Sequence, residues 1–296
     1  MRITNGSIMN NYLYNLNNNL ENMQKYQNQL STGKEISRPS DAPFLATRAM
    51  NLHTSLDRND QYLKNIEDSI GWVEMTDSTL GDMTDILQRV RELTVYGANG
   101  TLADGDMEAI AMEVGQNIEA LAQIGNSNYD GRYVLAGQET TSPPFSVSGN
   151  MLSYSGDAGL LEREISENVS MSVNVSGNRI LEGGTESLQD TLKNIMDRLE
   201  SGQVGDLSSD SLARLDGHIE NILSLRAEMG AKCNRLESAK SKNEAETLNM
   251  TELLSKAEDI DVAEKVMEFS MMQSVYQSSL ATGARILQPS LLDYLR

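Results

Sequence analysis

The chain has 296 residues, a net charge of −19 and only 5% aromatic residues. That length allows one large domain or two modest ones. The acidity argues against phosphate-backbone binding, which needs clustered Lys and Arg. The shortage of aromatics disfavours a deep enzyme core and suits thin helical bundles filled by Leu, Ile, Ala and 16 Met.

The first 30 residues are rich in Asn and Gln, yet Met9, Leu13, Leu16, Leu20, Met23, Gln27 and Leu30 recur by alternating fours and threes. Asn is a poor helix former and one narrow stripe buries little area, so this segment is expected to order only against a partner. Gln29 to Pro43 then reads as a helix stop at Gly33, an extended excursion through Pro39, and a helix start. Ser40 or Asp41 is suited to cap that start, and Pro43 falls in the first turn.

A long seam follows: Leu45, Ala49, Leu52, Leu56, Asn59, Leu63, Ile66, Ile70, Val73, Asp77, Leu80, Thr84, Leu87, Arg91 and Thr94. A stripe repeating every 3.5 residues or so lets a helix lie along an equally long partner. Gly97 to Gly105 is a loop by composition, and Ile110, Val114, Ile118, Leu121 and Ile124 mark a shorter amphipathic helix. Pro143 and Pro144 break any helix. Ser148-Gly149-Asn150 reads as a hairpin turn, and Val169, Met171, Val173 and Val175 alternate with polar residues like a half-buried strand. Helix resumes at about Glu186 and turns at Gly202 to Gly205. The partner seam is then Leu215, Ile219, Ile222, Arg226, Met229, Cys233, Leu236, Lys240, Asn243, Thr247, Met250, Leu254 and Ala257, roughly 65 Å of helix. The last segment mirrors the first, with Val262, Val266, Phe269, Gln273, Tyr276, Leu280, Gly283 and Leu287. Both ends are close to neutral, so nearly all the acidity lies between them.

The expected fold is mainly α: an elongated antiparallel helical bundle with long coiled-coil-like helices from both ends of the chain, plus a small β insert in the middle. Residues 1–36 with 260–296 form a terminal coiled-coil assembly domain, 37–137 with 185–259 a helical rod domain, and 138–184 a small β-rich outer insert. The assembly interface falls on Leu13, Leu16, Leu20, Leu30, Val266, Phe269, Tyr276, Leu280 and Leu287.

No enzyme chemistry is expected. His53 and His218 each sit beside a seam position, outside any metal motif. Asn126-x-Asn128-x-Asp130-Gly131 resembles the start of a calcium loop, but the position that would need a bidentate Glu is Gly137. No cofactor, metal, nucleic acid or membrane partner is implied. The N-terminus lacks the charged-then-apolar layout of a cleavable signal peptide.

The stretch Gln-Leu-Ser-Thr-Gly-Lys (29–34), followed by Ser40-Asp41-x-Pro43, resembles the signature of the flagellin family of bacterial axial proteins. Met1-Arg2-Ile3, the Gly97–Asp104 turn, Asn128–Gly137 and the ending Ile286–Arg296 are more similar to family members at the hook–filament junction than to the filament subunit. The resemblance makes Gly33, Pro39, Ser40, Asp41 and Pro43 a family signature turn. It implies an extracellular structural subunit of the flagellum, exported through the flagellar export apparatus with a chaperone and without a cleaved signal. Its terminal helices would stack into a homo-oligomeric ring, with hook-associated protein type 1 on the hook side and flagellin on the filament side. The alternatives are flagellin itself and, more distantly, a coiled-coil signalling or adaptor module.

Overall fold

The computed structural model describes residues 5–36, 38–99, 103–149, 151–183, 186–202 and 207–286. It is 73% helical, and its long helices are those the periodicity requires, while the short helix Gly177–Leu181 falls where only a β-rich insert was expected. In chain order they are α1 (Asn5–Thr32), α2 (Pro43–Gly97), α3 (Asp104–Gly125), the short α4 (Gly177–Leu181), α5 (Leu188–Ser201), α6 (Leu212–Glu258) and α7 (Val262–Ile286). Three antiparallel strand pairs lie between α3 and α4. They are β1 (Asn128–Tyr129) with β2 (Arg132–Tyr133), β3 (Phe145–Ser148) with β4 (Met151–Tyr154), and β5 (Glu162–Ser166) with β6 (Val169–Ser172).

The chain forms two compact units, Met1–Arg58 with Glu246–Arg296 and Asn59–Ala245. Helices α2 and α6 contribute residues to both. In the larger unit, every seam position of both helices is buried or half-buried, from Asn59 to Thr94 and from Leu215 to Asn243. The polar seam residues meet one another. Arg226 donates through Nε and Nη2 to the Asp77 carboxylate (3.1 and 3.4 Å), and Arg91 reaches Asp216 next to the opposing seam (2.6 and 3.4 Å). Lys240 pairs with Glu67 at 2.7 Å, and Asn243 Nδ2 donates to the Asn59 carbonyl at 3.2 Å. As the α2 number rises the α6 number falls, so the helices run antiparallel. The three ion pairs are substantially solvent-exposed, so their energetic worth is small and their effect is to fix register, whereas the Asn243–Asn59 contact is buried.

The core of this unit is one continuous cluster that includes Ile66, Leu80 and Leu87 of α2, Val114 and Ile118 of α3, Leu192 and Ile195 of α5, and Leu215, Ile222 and Met229 of α6. The strand region closes over it through Phe145, Leu152 and Ile165. Asn126, the first residue of the calcium-like motif, has a structural use. Its side chain accepts the Phe145 N–H (2.9 Å) and donates to the Phe145 carbonyl (2.8 Å), pinning β3 to the end of α3. Asp130 and Gly131 take positive φ angles of 50° and 74°, the conformation of a tight two-residue hairpin between β1 and β2.

The Val169–Val175 alternation is only partly a strand. The ladder stops at Ser172, and residues 173–177 are buried without interruption. Asn174 is the reason. Its Oδ1 accepts the Leu161 N–H (2.9 Å) and its Nδ2 donates to the Gly159 carbonyl (2.9 Å), replacing backbone pairing with side-chain pairing.

Candidate assembly surface

In the smaller unit α1 and α7 lie against each other. Tyr12 Oη donates to the Ser279 carbonyl at 2.9 Å, and its ring occupies the space where a Cβ on Gly283 would stand. Farther along, Lys265 Nζ lies 5.5 Å from the centre of the Tyr26 ring. Tyr12 thus meets the far end of α7 and Tyr26 its beginning, so this pair is antiparallel as well.

A backbone joint holds the other end of the pair. α1 ends at Gly33, whose φ of +72° gives the left-handed turn that commonly terminates a helix. The Gly33 N–H donates to Gln29 at 2.8 Å, and the Gly33 carbonyl accepts from the Ile260 N–H at 3.2 Å. The Glu35 N–H donates to the Glu258 carbonyl at 2.6 Å, and Gln29 Nε2 donates to the Glu35 carbonyl at 2.7 Å. The Glu258 side chain lies between Lys34 Nζ (2.8 Å) and His53 Nε2 (3.2 Å). Burial alone would raise the Glu258 carboxyl, yet the hydrogen bonds from Lys34 and His53 hold it below the ordinary carboxylate range. α7 restarts immediately, capped by Asp261, whose Oδ1 accepts the N–H groups of Ala263 (2.9 Å) and Glu264 (3.3 Å).

This unit buries little. Among its described residues the buried hydrophobic side chains are all alanines: Ala46, Ala49 and Ala257. Large apolar side chains face solvent instead: Leu13, Tyr14 and Leu20 on α1, and Val262, Val266, Met267, Met271, Val275 and Leu280 on α7. Of the residues expected at an interface, Leu13, Leu20, Val266 and Leu280 are thus exposed, while Leu16, Leu30, Phe269 and Tyr276 are half-buried. Leu287 lies outside the described residues. In the signature turn, Pro39 and Ser40 are exposed and Pro43 is the first residue of α2. Asp41 does not cap α2. Its carboxylate accepts the Arg38 N–H at 3.2 Å, and the Ala46 N–H turns to the Ala42 carbonyl.

Sequence reasoning missed Tyr12, Gln29 and Glu258. Tyr12 lies one residue off the α1 stripe. Its signal was Gly283, a seam position with no side chain to fill its place. The exposed apolar faces can bury themselves against further helices and carry no chemistry. Among the described residues no group of three His, Cys, Asp or Glu side chains could hold a metal ion, and no helix is long and apolar enough to cross a membrane.

Residues 3–140 match the family model of the bacterial flagellin N-terminal helical region, and residues 212–295 that of the C-terminal helical region. The chain is 29% identical to flagellar hook-associated protein 3 of Escherichia coli, over 89% of this chain and 90% of that one. It is 26% identical to flagellin of Bacillus subtilis, over 97% of each. Its fold is that of the flagellar hook-associated protein solved from Vibrio parahaemolyticus, with a TM-score of 0.67 at 19% identity, covering 74% of this chain and all of that one. The two terminal matches span most of the chain and include both seam helices, so it belongs to the bacterial flagellin family of flagellar structural proteins.

Proposed function

We propose that this protein is the hook–filament junction subunit of the flagellum, forming a homo-oligomeric ring with hook-associated protein type 1 on the hook side and flagellin on the filament side. The observation that carries the reading is the α1–α7 pair, whose large apolar side chains face solvent while the buried hydrophobic side chains among its unit's described residues are all alanines. Contiguous exposed apolar surface of this kind marks an interaction site, and two helices presenting it side by side suit stacking against the same helices of neighbouring copies. The interface comprises Leu13, Leu16, Leu20, Leu30, Val266, Phe269, Tyr276, Leu280 and Leu287, with 1–36 and 260–296 acting as the assembly domain. Near-neutral ends support this, since strongly acidic ones would accumulate repulsion down a stack. In this reading the protein reaches its place through the flagellar export apparatus, accompanied by a chaperone.

The similarity to hook-associated protein 3 favours the junction role over filament growth, and seeding separates the two. Purified protein is added to hook fragments bearing hook-associated protein type 1, and the ends are imaged by electron microscopy. A short collar that stops growing and then accepts flagellin is expected. Long filaments of this protein alone would make it a flagellin, and bare hook ends would overturn the assembly reading.

A further inference from the structure

The terminal pair carries a second seam beside the one that holds it together. Half-burial on α1 recurs at Tyr12, Leu16, Asn19, Met23, Tyr26 and Leu30. On α7 it recurs at Lys265, Phe269, Met272, Tyr276 and Ser279, and Gly283 is buried outright. Both sets step by fours and threes, the repeat of two helices packed along their length. One position further on, a stripe is exposed: Leu13, Leu20 and Gln27 on α1, and Val266, Gln273 and Leu280 on α7. In an antiparallel pair these positions of both helices fall on the same side. They therefore rim one groove, continuous with the seam beneath it. On its other side α7 exposes Met267, Met271 and Val275, spaced by fours, which form a ridge.

A ridge of side chains fills a groove, whereas two grooves set face to face leave a gap. Groove against groove would also close a two-fold dimer and leave the methionines in water. Ridge against groove is heterologous: each added copy still presents one open surface, and the contact repeats until a ring closes. Neither the stripe nor the ridge contains a charged residue, so the two can meet without desolvating an ion. Given the assembly reading above, we propose that the groove is filled by the α7 ridge of a second copy, with Met267, Met271 and Val275 of one subunit lying between Leu13, Leu20, Val266 and Leu280 of the next. Methionine is unbranched and adaptable, which suits a contact repeated between neighbours. Tyr12 meets Gly283 and Tyr26 meets Lys265, so in copies set side by side Met271 stands level with α1 near Leu20.

Methionines on both surfaces let the native chain report the contact. Free full-length protein and collars seeded on hook ends are treated briefly with hydrogen peroxide, and peptide mass spectrometry follows oxidation at each Met. Met9, at the head of the groove, and Met267 and Met271 on the ridge are exposed in the free protein, and all three are expected to lose reactivity in the collar. Continued oxidation of Met267 and Met271 in a formed collar would overturn the pairing, whereas failure of any collar to form would overturn the assembly reading instead. A cross-link identifies the neighbour. In a Cys233→Ser background, Met271→Cys copies are mixed with copies carrying Leu13→Cys or Leu20→Cys, and the collars are treated with a bismaleimide. A mixed dimer is expected from at least one mixture, and no dimer from any variant alone. Dimers from a single variant would mean that like surfaces meet, and absence of the mixed dimer from both mixtures that ridge and groove do not; either result would overturn the proposal.

Discussion

The two units are built from the same two long helices, yet they use them in opposite ways. In the larger unit the α2 and α6 seams are sealed by α3, α5 and the strand pairs, and Leu80, Leu87, Leu215 and Ile222 have no exposure at all. In the smaller unit the same periodicity continues, but Leu45, Leu52, Leu56 and Leu254 are only half-buried, and α1 and α7 turn leucine, valine and methionine to solvent. A stripe of the same period is a finished core in one place and an unfinished surface in the other. What differs is the number of layers available to cover it, since an amphipathic face is stable only where another element meets it.

Deleting side-chain volume from the finished core should have the largest effect. Leu80→Ala is expected to cost about 2–5 kcal/mol of monomer stability, read by urea unfolding, as for other fully buried leucines. A cost below 0.5 kcal/mol or so, the range of a surface change, would erase the contrast. Next comes Gly283→Val, whose side chain needs the space of the Tyr12 ring. It should loosen the α1–α7 pair by about 1–3 kcal/mol, seen as faster proteolysis of both ends with the larger unit intact. Equal loss of protection in both units would show that they unfold as one.

Acid should separate the units by pH. Burial pushes His218 below its ordinary value of 6.5, with Nε2 3.3 Å from Thr191 Oγ1 and Nδ1 without a partner. A lowered folded value means the unfolded chain binds the proton first, so the larger unit keeps its full stability above pH 6.5 and loses it as pH falls through the lower folded value. Glu258 is also depressed, from 4.5, so the joint of the smaller unit is intact above that pH and weakens only as pH falls through its folded value. Urea midpoints followed by probes in each unit should therefore decline in that order, and the opposite order would contradict both assignments. The smallest effect on stability belongs to Leu20→Asp and Leu280→Asp. Each should change monomer unfolding by no more than about 0.5 kcal/mol while blocking incorporation at hook ends. Unfolding of the monomer would instead place these leucines in the core.

The seam helices were legible in the sequence because one geometric rule, the helical repeat, acts on more than forty residues at once, and chance matches average out. Even Asn59, Asp77, Arg91, Arg226, Lys240 and Asn243, polar residues on an apolar stripe, could be placed by position alone. Their mutual partners could not, because register between helices far apart in sequence depends on the whole packed body. The strand region was harder. The two-residue β1 and β2 carry almost no periodic signal, so Asp130-Gly131 read first as a metal-loop fragment. Asn174 looked like a solvent-facing strand residue when its amide stands in for a backbone partner. At the interface, apolar spacing located α1 and α7, but it was blind to the aromatic seated on Gly283 and to Glu258 between Lys34 and His53.

The pairs that fix register span much of the chain. Arg91 and Asp216 are 125 residues apart, Asp77 and Arg226 149, and Glu67 and Lys240 173, while Tyr12 and Ser279 are separated by 267. Closing such loops costs entropy before any contact repays it, and folding slows as contacts become less local. A chain emerging N-terminus first can pack α2 against α3 early, but α2 has no partner of its own length until α6 follows, and α1 has none until α7 is nearly complete. Its early segments remain an open thread through most of their passage, and the molecule acquires its shape only when the last helix is out.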